Sequence, residues 1–301
     1  MMGLELTSWE FSTLISRWLL YAGVAGSVGG ICSLYLLKAY RGLQGAFLKY
    51  ALFAVLLSIT SAFGHFFVRV GAVLEEGVSG MFEPDIVSII WNSAVGEALL
   101  LRVLGLFLLL VALVFLWRKR KLTATWVEPG ARVAWLGFFG LLLTATSYTE
   151  VGHAVSQSWI FQLVLVVHLS LTAWWMGTLY PLWLACHRLA SADAHAVLHR
   201  FGQFAVAAVL LVVLAGLFLS YQLTAWNNLF TSSYGLFLIT KLILVLLLLG
   251  LAALHKFVLV PQLLSSQDAS RLKKSLLIEK FIGAGIYAIT TVLTTLVGPM
   301  M

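Results

Sequence analysis

The sequence predicts an all-α polytopic membrane protein, a bundle of eight transmembrane helices with both termini on the outer side. Of the 301 residues, 61% are hydrophobic and only 10% are charged. A soluble domain has about 45–50% apolar and roughly 25% charged residues. The apolar residues form long unbroken runs, unlike the short alternating segments of a β-barrel. Helical spans are therefore the architecture that the composition favours.

Basic residues collect in short loops between the apolar runs, and the clearest group is the run from Arg118 to Lys121. The formal net charge of +7 would suggest nucleic acid in a soluble chain. In a membrane protein it indicates orientation instead, because loops rich in Lys and Arg stay in the cytoplasm. We therefore expect a lipid bilayer, and no nucleic acid, as the surroundings. The two cysteines, Cys32 and Cys186, form no CxxC pair, so neither a disulfide framework nor a zinc site is predicted.

Eight spans follow when about 20 apolar residues are taken as one membrane crossing. The predicted spans are about Thr13–Leu37, Phe47–Val73, Glu97–Trp117, Ala131–Thr146, Trp159–Leu184, Phe201–Leu223, Tyr234–Leu254 and Leu276–Val297. A short segment, Ile86–Gly96, is expected to lie in the membrane interface before the third span. This arrangement puts every basic loop on the cytoplasmic side and both termini outside, which is the periplasm in a bacterium. We predict a single transmembrane domain over residues 1–301 and no soluble domain.

Histidines near the outer boundary are the first candidates for function. His168 lies inside the fifth predicted span, and an ionisable side chain there usually faces other helices or a cavity. His65 and His153 lie at or near the same boundary. Imidazole suits copper, zinc, iron and nickel, so three converging rings would make a metal site. In the alternative interpretation, each ring only hydrogen-bonds a neighbouring backbone or hydroxyl group.

Met176 is a further metal candidate on the same predicted span. On a helix, His168 shares a face with Thr172 and Trp175, and Met176 lies close to that face, roughly 12 Å further inward. A soft thioether beyond an imidazole resembles a relay for Cu(I). In the alternative interpretation, Met176 is an ordinary packing residue that fills a gap between helices.

Other ionisable residues are given structural roles. Glu97 and Arg102 are expected to form an ion pair within or across helices, the usual way in which such residues are tolerated in a membrane. In the alternative interpretation, Glu97 or Glu150 lines a pathway for a cation. A soft ion on its way out could also meet the adjacent Cys186 and His187. The histidines predicted on the cytoplasmic side are interpreted as solvated loop residues; these are His187, His195, His199 and His255.

Several motifs between Ser147 and Leu263 follow one another in a recognisable order. The fifth span contains the pattern H-x6-W-x-G, formed by His168, Trp175 and Gly177, after a Gly-His-Ala tripeptide centred on His153. The later motifs are Arg200-Phe201, Tyr234-Gly235 with Lys241, and the stretch AALHKFVLVP at residues 252–261. Together they resemble the CopD/PcoD copper-resistance family of bacterial inner-membrane proteins. The chain departs from that family at His255, where an asparagine is expected.

This resemblance implies a role in copper homeostasis and resistance. The copper ion would be captured at a periplasm-facing histidine site and passed inward across the inner membrane, alongside a periplasmic carrier of the CopC type. Carried over by position, His153 and His168 are the expected metal ligands and His65 is the third. No ATP-binding motif is present in the sequence, so transport is expected to be passive or ion-coupled.

Two other functions stay open at this point, although the leading expectation is not an enzyme. The first is a membrane oxidoreductase in which two of the histidines bind haem between helices, as helical bundles permit. The second is an assembly protein that holds copper for a partner without transporting it. The same outer histidines would serve either copper function, so the sequence separates them poorly.

Overall fold

A computed structural model describes residues 6–36, 40–123, 130–150, 158–224, 226 and 229–297. Throughout these residues the regular secondary structure is helical, which confirms the all-α prediction. The helices are α1 (Ser8–Leu36), α2 (Gln44–Leu74), α3 (Pro84–Trp91), α4 (Ala94–Thr123), α5 (Ala131–Thr146), α6 (Trp159–Arg188), α7 (Ser191–Thr224), α8 (Ser233–Leu254), α9 (Val260–Ser266) and α10 (Ser270–Thr295). A π-helical turn, His255–Leu259, joins α8 to α9.

Seven helical segments within the described ranges are long and apolar enough to cross a membrane. They are α1, α2, α4, α6, α7, the continuous segment Ser233–Ser266 and α10. One end of the bundle carries Arg118, Arg188 and Lys274 and is called the basic end below. The structure thus supports a multi-pass membrane protein with seven candidate spans.

The remaining predicted span is the fourth, Ala131–Thr146, which is present as α5 with the predicted bounds. It has 16 residues, or about 24 Å at 1.5 Å per residue, whereas the hydrocarbon core is about 30 Å thick. The short segment predicted at the membrane interface includes α3, which has no buried residue. The count of eight spans therefore depends on α5.

Helix α1 lies at the centre of the bundle and packs against α2, α6 and α10. Its glycines allow two neighbours to approach closely. A Cβ atom at Gly29 would collide with the backbone of Gly177 on α6, and one at Gly30 would lie 2.7 Å from Cβ of Ala51 on α2. Tyr50 strengthens the same region, since its hydroxyl donates a hydrogen bond of 3.0 Å to the Gly177 carbonyl. Small residues at such contacts are how membrane helices gain van der Waals packing.

The contact between α1 and α6 predicts that Gly177→Ala destabilises the protein. The added methyl group would collide with the Ala25 carbonyl, and overpacking of this kind costs about 1–3 kcal/mol. The measurement is thermal unfolding of the purified protein in detergent. Gly202→Ala is the matched control, because no atom lies within 4 Å of the added Cβ. An unchanged melting temperature for Gly177→Ala would contradict the close packing.

Candidate functional site

His168 is held between helices by a backbone hydrogen bond. Its Nδ1 lies 3.2 Å from the carbonyl oxygen of Val212 on α7. Because a carbonyl can only accept, Nδ1 carries the proton and the lone pair of the neutral ring is on Nε2. Histidines that bind metals are commonly oriented in this way through their other nitrogen. His168 therefore has a ring suited to ligation.

The surroundings of His168 are tight and include a cation. A Cβ at Gly216 on α7 would lie 3.3 Å from Cε1 of the ring, so this glycine leaves room for the imidazole. Lys241 on α8 is close enough to act on the ring electrostatically. Thr172 is occupied elsewhere, because its hydroxyl donates to the His168 carbonyl at 2.6 Å. The Thr172 hydroxyl, on the same predicted helix face as His168, is thus hydrogen-bonded to the backbone of α6.

Met176 lies on the same helix but contacts different neighbours. Its sulfur packs directly against Gly283 on α10, whereas the ring of His168 is turned towards α7. The two residues are eight positions apart, which is about 12 Å along the helix. Met176 and His168 therefore lie at two separate levels along α6.

His65 is buried on α2, with 8% of its surface exposed. Its Nδ1 lies 3.0 Å from the hydroxyl oxygen of Ser16 on α1. The side chain lines a cavity of about 30 Å³ near the end of the bundle opposite the basic end. The other lining residues are Arg17, Leu20, Arg69, Val95, Ala98, Arg102 and Tyr148. This cavity is called the arginine chamber below.

Three guanidinium groups surround His65 in the arginine chamber, and each acts on the ring electrostatically. Arg102 is the most deeply buried, at 7% exposure, and donates from Nε to the Ser147 hydroxyl at 3.1 Å. Arg17 donates to the Tyr21 hydroxyl at 3.0 Å. Throughout the part of the chain that the structure describes, none of the three forms a salt bridge with a carboxylate. The chamber is therefore strongly positive.

The predicted ion pair between Glu97 and Arg102 is wrong. Both residues are on α4, but five positions apart, which at 100° per residue places them about 140° apart around the helix. Glu97 is exposed and Arg102 is buried. The two charges consequently point to different environments.

Tyr148 completes the chamber from the turn after α5. The centre of its ring lies 4.5 Å from Cζ of Arg102, and its hydroxyl is buried with no hydrogen-bond partner among the described residues. A tyrosine hydroxyl is neutral near pH 7, so it keeps its proton as a hydrogen-bond donor.

A second polar cluster lies nearer the basic end, around Glu279 on α10, which is only 1% exposed. Trp175 on α6 donates its indole N–H to Oε1 at 3.0 Å. Nδ1 of His255 lies 3.0 Å from Oε2, but at an angle that leaves Oε2 without a hydrogen bond. Nε2 of His255 is 2.7 Å from the Ser275 hydroxyl. The cluster links α6, α10 and the π-helical turn through buried polar groups.

The prediction that His255, His195 and His199 are solvated loop residues is wrong in part. His255 is buried at the start of the π-helical turn, because the helix continues past it into a further apolar stretch. His195 and His199 lie on α7, which begins at Ser191 and not at Phe201. Their side chains are partly or fully exposed. The predicted exposure to solvent is therefore correct, whereas the predicted position in a loop is wrong.

Sequence reasoning missed Glu279 and its partners. Glu279 stands beside Lys280 near the start of the last predicted span, so it was hidden among the basic residues that anchor that helix. The available signal was the spacing of Ser275 and Glu279, four positions apart and hence on one helix face. Trp175 belongs to the H-x6-W-x-G pattern but was assigned no partner.

The predicted three-histidine site stays a prediction. His153 lies outside the described residues. Among the residues with described positions, no group of three or more His, Cys, Asp or Glu side chains is arranged to hold a metal ion. His65 and His168 have different neighbours, in the arginine chamber and beside α7 respectively.

Comparison with known proteins gave one family match. Residues 195–293 match the family model described as "CopD: Copper resistance protein D". No curated protein and no solved structure matches the chain. The matched region covers most of α7 and continues into α10, including Lys241, His255 and Glu279, whereas His65, His153, His168 and Met176 precede it. The match confirms the predicted resemblance to the CopD copper-resistance family over residues 195–293 of this helical membrane protein.

Proposed function

We propose that the protein transports copper across the bacterial inner membrane, from the periplasm to the cytoplasm. The family match supports a role in copper resistance and homeostasis, and the long apolar helices support a membrane location. The observation that carries the transport proposal is His168, whose ring is fixed by Val212 with Nε2 as the available ligand atom. A periplasmic carrier of the CopC type would deliver the ion.

The proposed topology has eight spans, with α5 as the fourth and both termini in the periplasm. Helix α5 packs closely on α4, since a Cβ at Gly105 would lie 2.6 Å from the Gly140 carbonyl oxygen. The turn after α5 adds Ser147 and Thr149, both buried, to the length of the segment. A crossing by α5 also keeps the basic ends of α4, α6 and α10 on one side of the membrane, as the positive-inside rule requires.

His168 and His153 are the proposed capture ligands, with His65 as the third. A unit charge about 4 Å away opposes a bound cation by roughly 1–4 kcal/mol, depending on the local dielectric. Three guanidinium groups act on His65, whereas one lysine acts on His168. His168 is therefore the better cation ligand, and His65 requires its positive surroundings to be neutralised.

Inward passage is proposed to continue along α6 towards the basic end. Met176 supplies a thioether about 12 Å from His168, and thioether and imidazole ligands both suit Cu(I). Trp175, the residue before Met176, donates a hydrogen bond to Glu279, whose Oε2 lies 3.0 Å from Nδ1 of His255. A carboxylate oxygen of this kind stabilises a cation inside the membrane. The buried pair of Glu279 and His255 is thus the proposed inner station.

The capture site predicts that His168→Ala weakens Cu(I) binding by about 10–100-fold, the loss typical when a metal site is damaged. Affinity is measured by competition with a chromophoric Cu(I) chelator.

His199→Ala is the matched control for this experiment, because His199 is exposed on α7 and its Nε2 contacts only Gln203 among its described hydrogen-bond partners. Equal affinity of the parent and His168→Ala would reject His168 as a ligand. A Soret band in the absorption spectrum of the purified protein would favour the haem oxidoreductase instead.

The inner station predicts that Glu279→Gln slows copper flux by about tenfold, which corresponds to a barrier higher by roughly 1.4 kcal/mol. The amide keeps the volume and the bond from Trp175 but loses the negative charge. Flux is followed in sealed proteoliposomes with a Cu(I) indicator inside. Glu76→Gln, at an exposed position, should transport as the parent does. A parent protein that binds copper without moving it would be a holding protein.

A further inference from the structure

We propose that the arginine chamber binds one small inorganic anion of halide size, with chloride as the ligand expected in solution. The site consists of Arg17, Arg69, Arg102 and the hydroxyl of Tyr148 around the cavity beside His65. This proposal does not rest on copper transport, since none of its evidence involves a metal ligand other than His65.

Charge is the first reason for an anion. The three guanidinium groups are close enough to act on His65, and Arg17 acts on both of the other two. Charged groups inside a membrane protein normally pair with opposite charges. Within the described ranges of the chain, no carboxylate forms a salt bridge with any of them. A bound anion supplies the missing negative charge.

The donor set is the second reason. Guanidinium groups donate hydrogen bonds and accept none. Tyr148 adds a neutral hydroxyl that is buried and, within the described ranges, has no hydrogen-bond partner. A buried donor left unsatisfied is costly. Apolar walls from Leu20, Val95 and Ala98 surround these donors and strengthen their field. Such a set of convergent donors in an apolar wall suits an acceptor with negative charge.

Size selects the anion. The cavity has a volume of about 30 Å³, and a single water requires roughly 10–15 Å³ by the same measure. A dehydrated halide is of that order, while gluconate is far too large. The phosphate of an anionic lipid is the other source of negative charge, because Arg69 is exposed at the rim.

The test measures binding of ³⁶Cl⁻ to the purified full-length chain in nanodiscs of phosphatidylcholine. Chloride is varied against gluconate at constant ionic strength, and thermal stability is recorded in parallel. We expect saturable binding of one chloride per chain and a melting temperature that rises with occupancy. Arg102→Gln should abolish both effects. Arg132→Gln is the matched control, because Arg132 is exposed at the start of α5 and should change neither.

Tyr148→Phe keeps the test decisive if Arg102→Gln does not fold. The variant loses only a hydroxyl that has no hydrogen-bond partner in the described part of the chain, so the fold should tolerate it. Chloride affinity should fall about tenfold with the lost hydrogen bond to the anion.

Three results would overturn the proposal. The first is the absence of saturable chloride binding to the parent chain. The second is chloride binding by Tyr148→Phe and Arg102→Gln that is as strong as binding by the parent. The third is loss of chloride binding when part of the phosphatidylcholine is replaced by phosphatidylglycerol, which would identify a lipid phosphate as the occupant. Copper affinity is measured separately on the same samples, and the interpretation of the chloride results does not depend on it.

Discussion

The close approach of α1 and α6 at Gly29 and Gly177 determines how the rest of α6 is presented. Neither position has room for a Cβ atom, and the Tyr50 hydroxyl bonds to the same carbonyl of Gly177. The rotation of α6 about its axis is consequently fixed at the residue next to Met176. From that point, helical geometry turns Trp175 and Met176 towards α10 and His168 towards α7. The close backbone contact between α1 and α6 thus sets the directions in which these three side chains point.

This arrangement favours a series of positions over one compact metal centre. Three side chains of α6 each contact a different residue on another helix: His168 contacts Val212, Met176 contacts Gly283 and Trp175 contacts Glu279. An ion moving along the helix would exchange a few ligands at each step. Weak, successive binding is what conduction requires, because an ion that is held too tightly does not leave.

The sequence predicted what depends on local pattern. The apolar runs predicted the helices, and the start of α6 at Trp159 agrees with Ser158, whose side chain caps it. The rotation of each helix depends on neighbours distant in the sequence, so the burial of Arg102 away from Glu97 could not be seen. The burial of His255 was missed for the same reason, since its partners Ser275 and Glu279 are on another helix. Of the four predicted metal ligands, three have described positions, and their convergence stays a prediction.

The two polar regions of the bundle carry opposite charge, and this asymmetry bears on how a cation could pass. Near the basic end, the buried carboxylate of Glu279 attracts a cation. At the other end, the arginine chamber repels one, and His65 lies inside it. A ligand of fixed position changes its affinity for a cation when the charge around it changes. If the protein captures copper as proposed, His65 can bind the ion only while the chamber holds a counter-charge. The proposed role of His168 does not depend on the occupancy of the chamber.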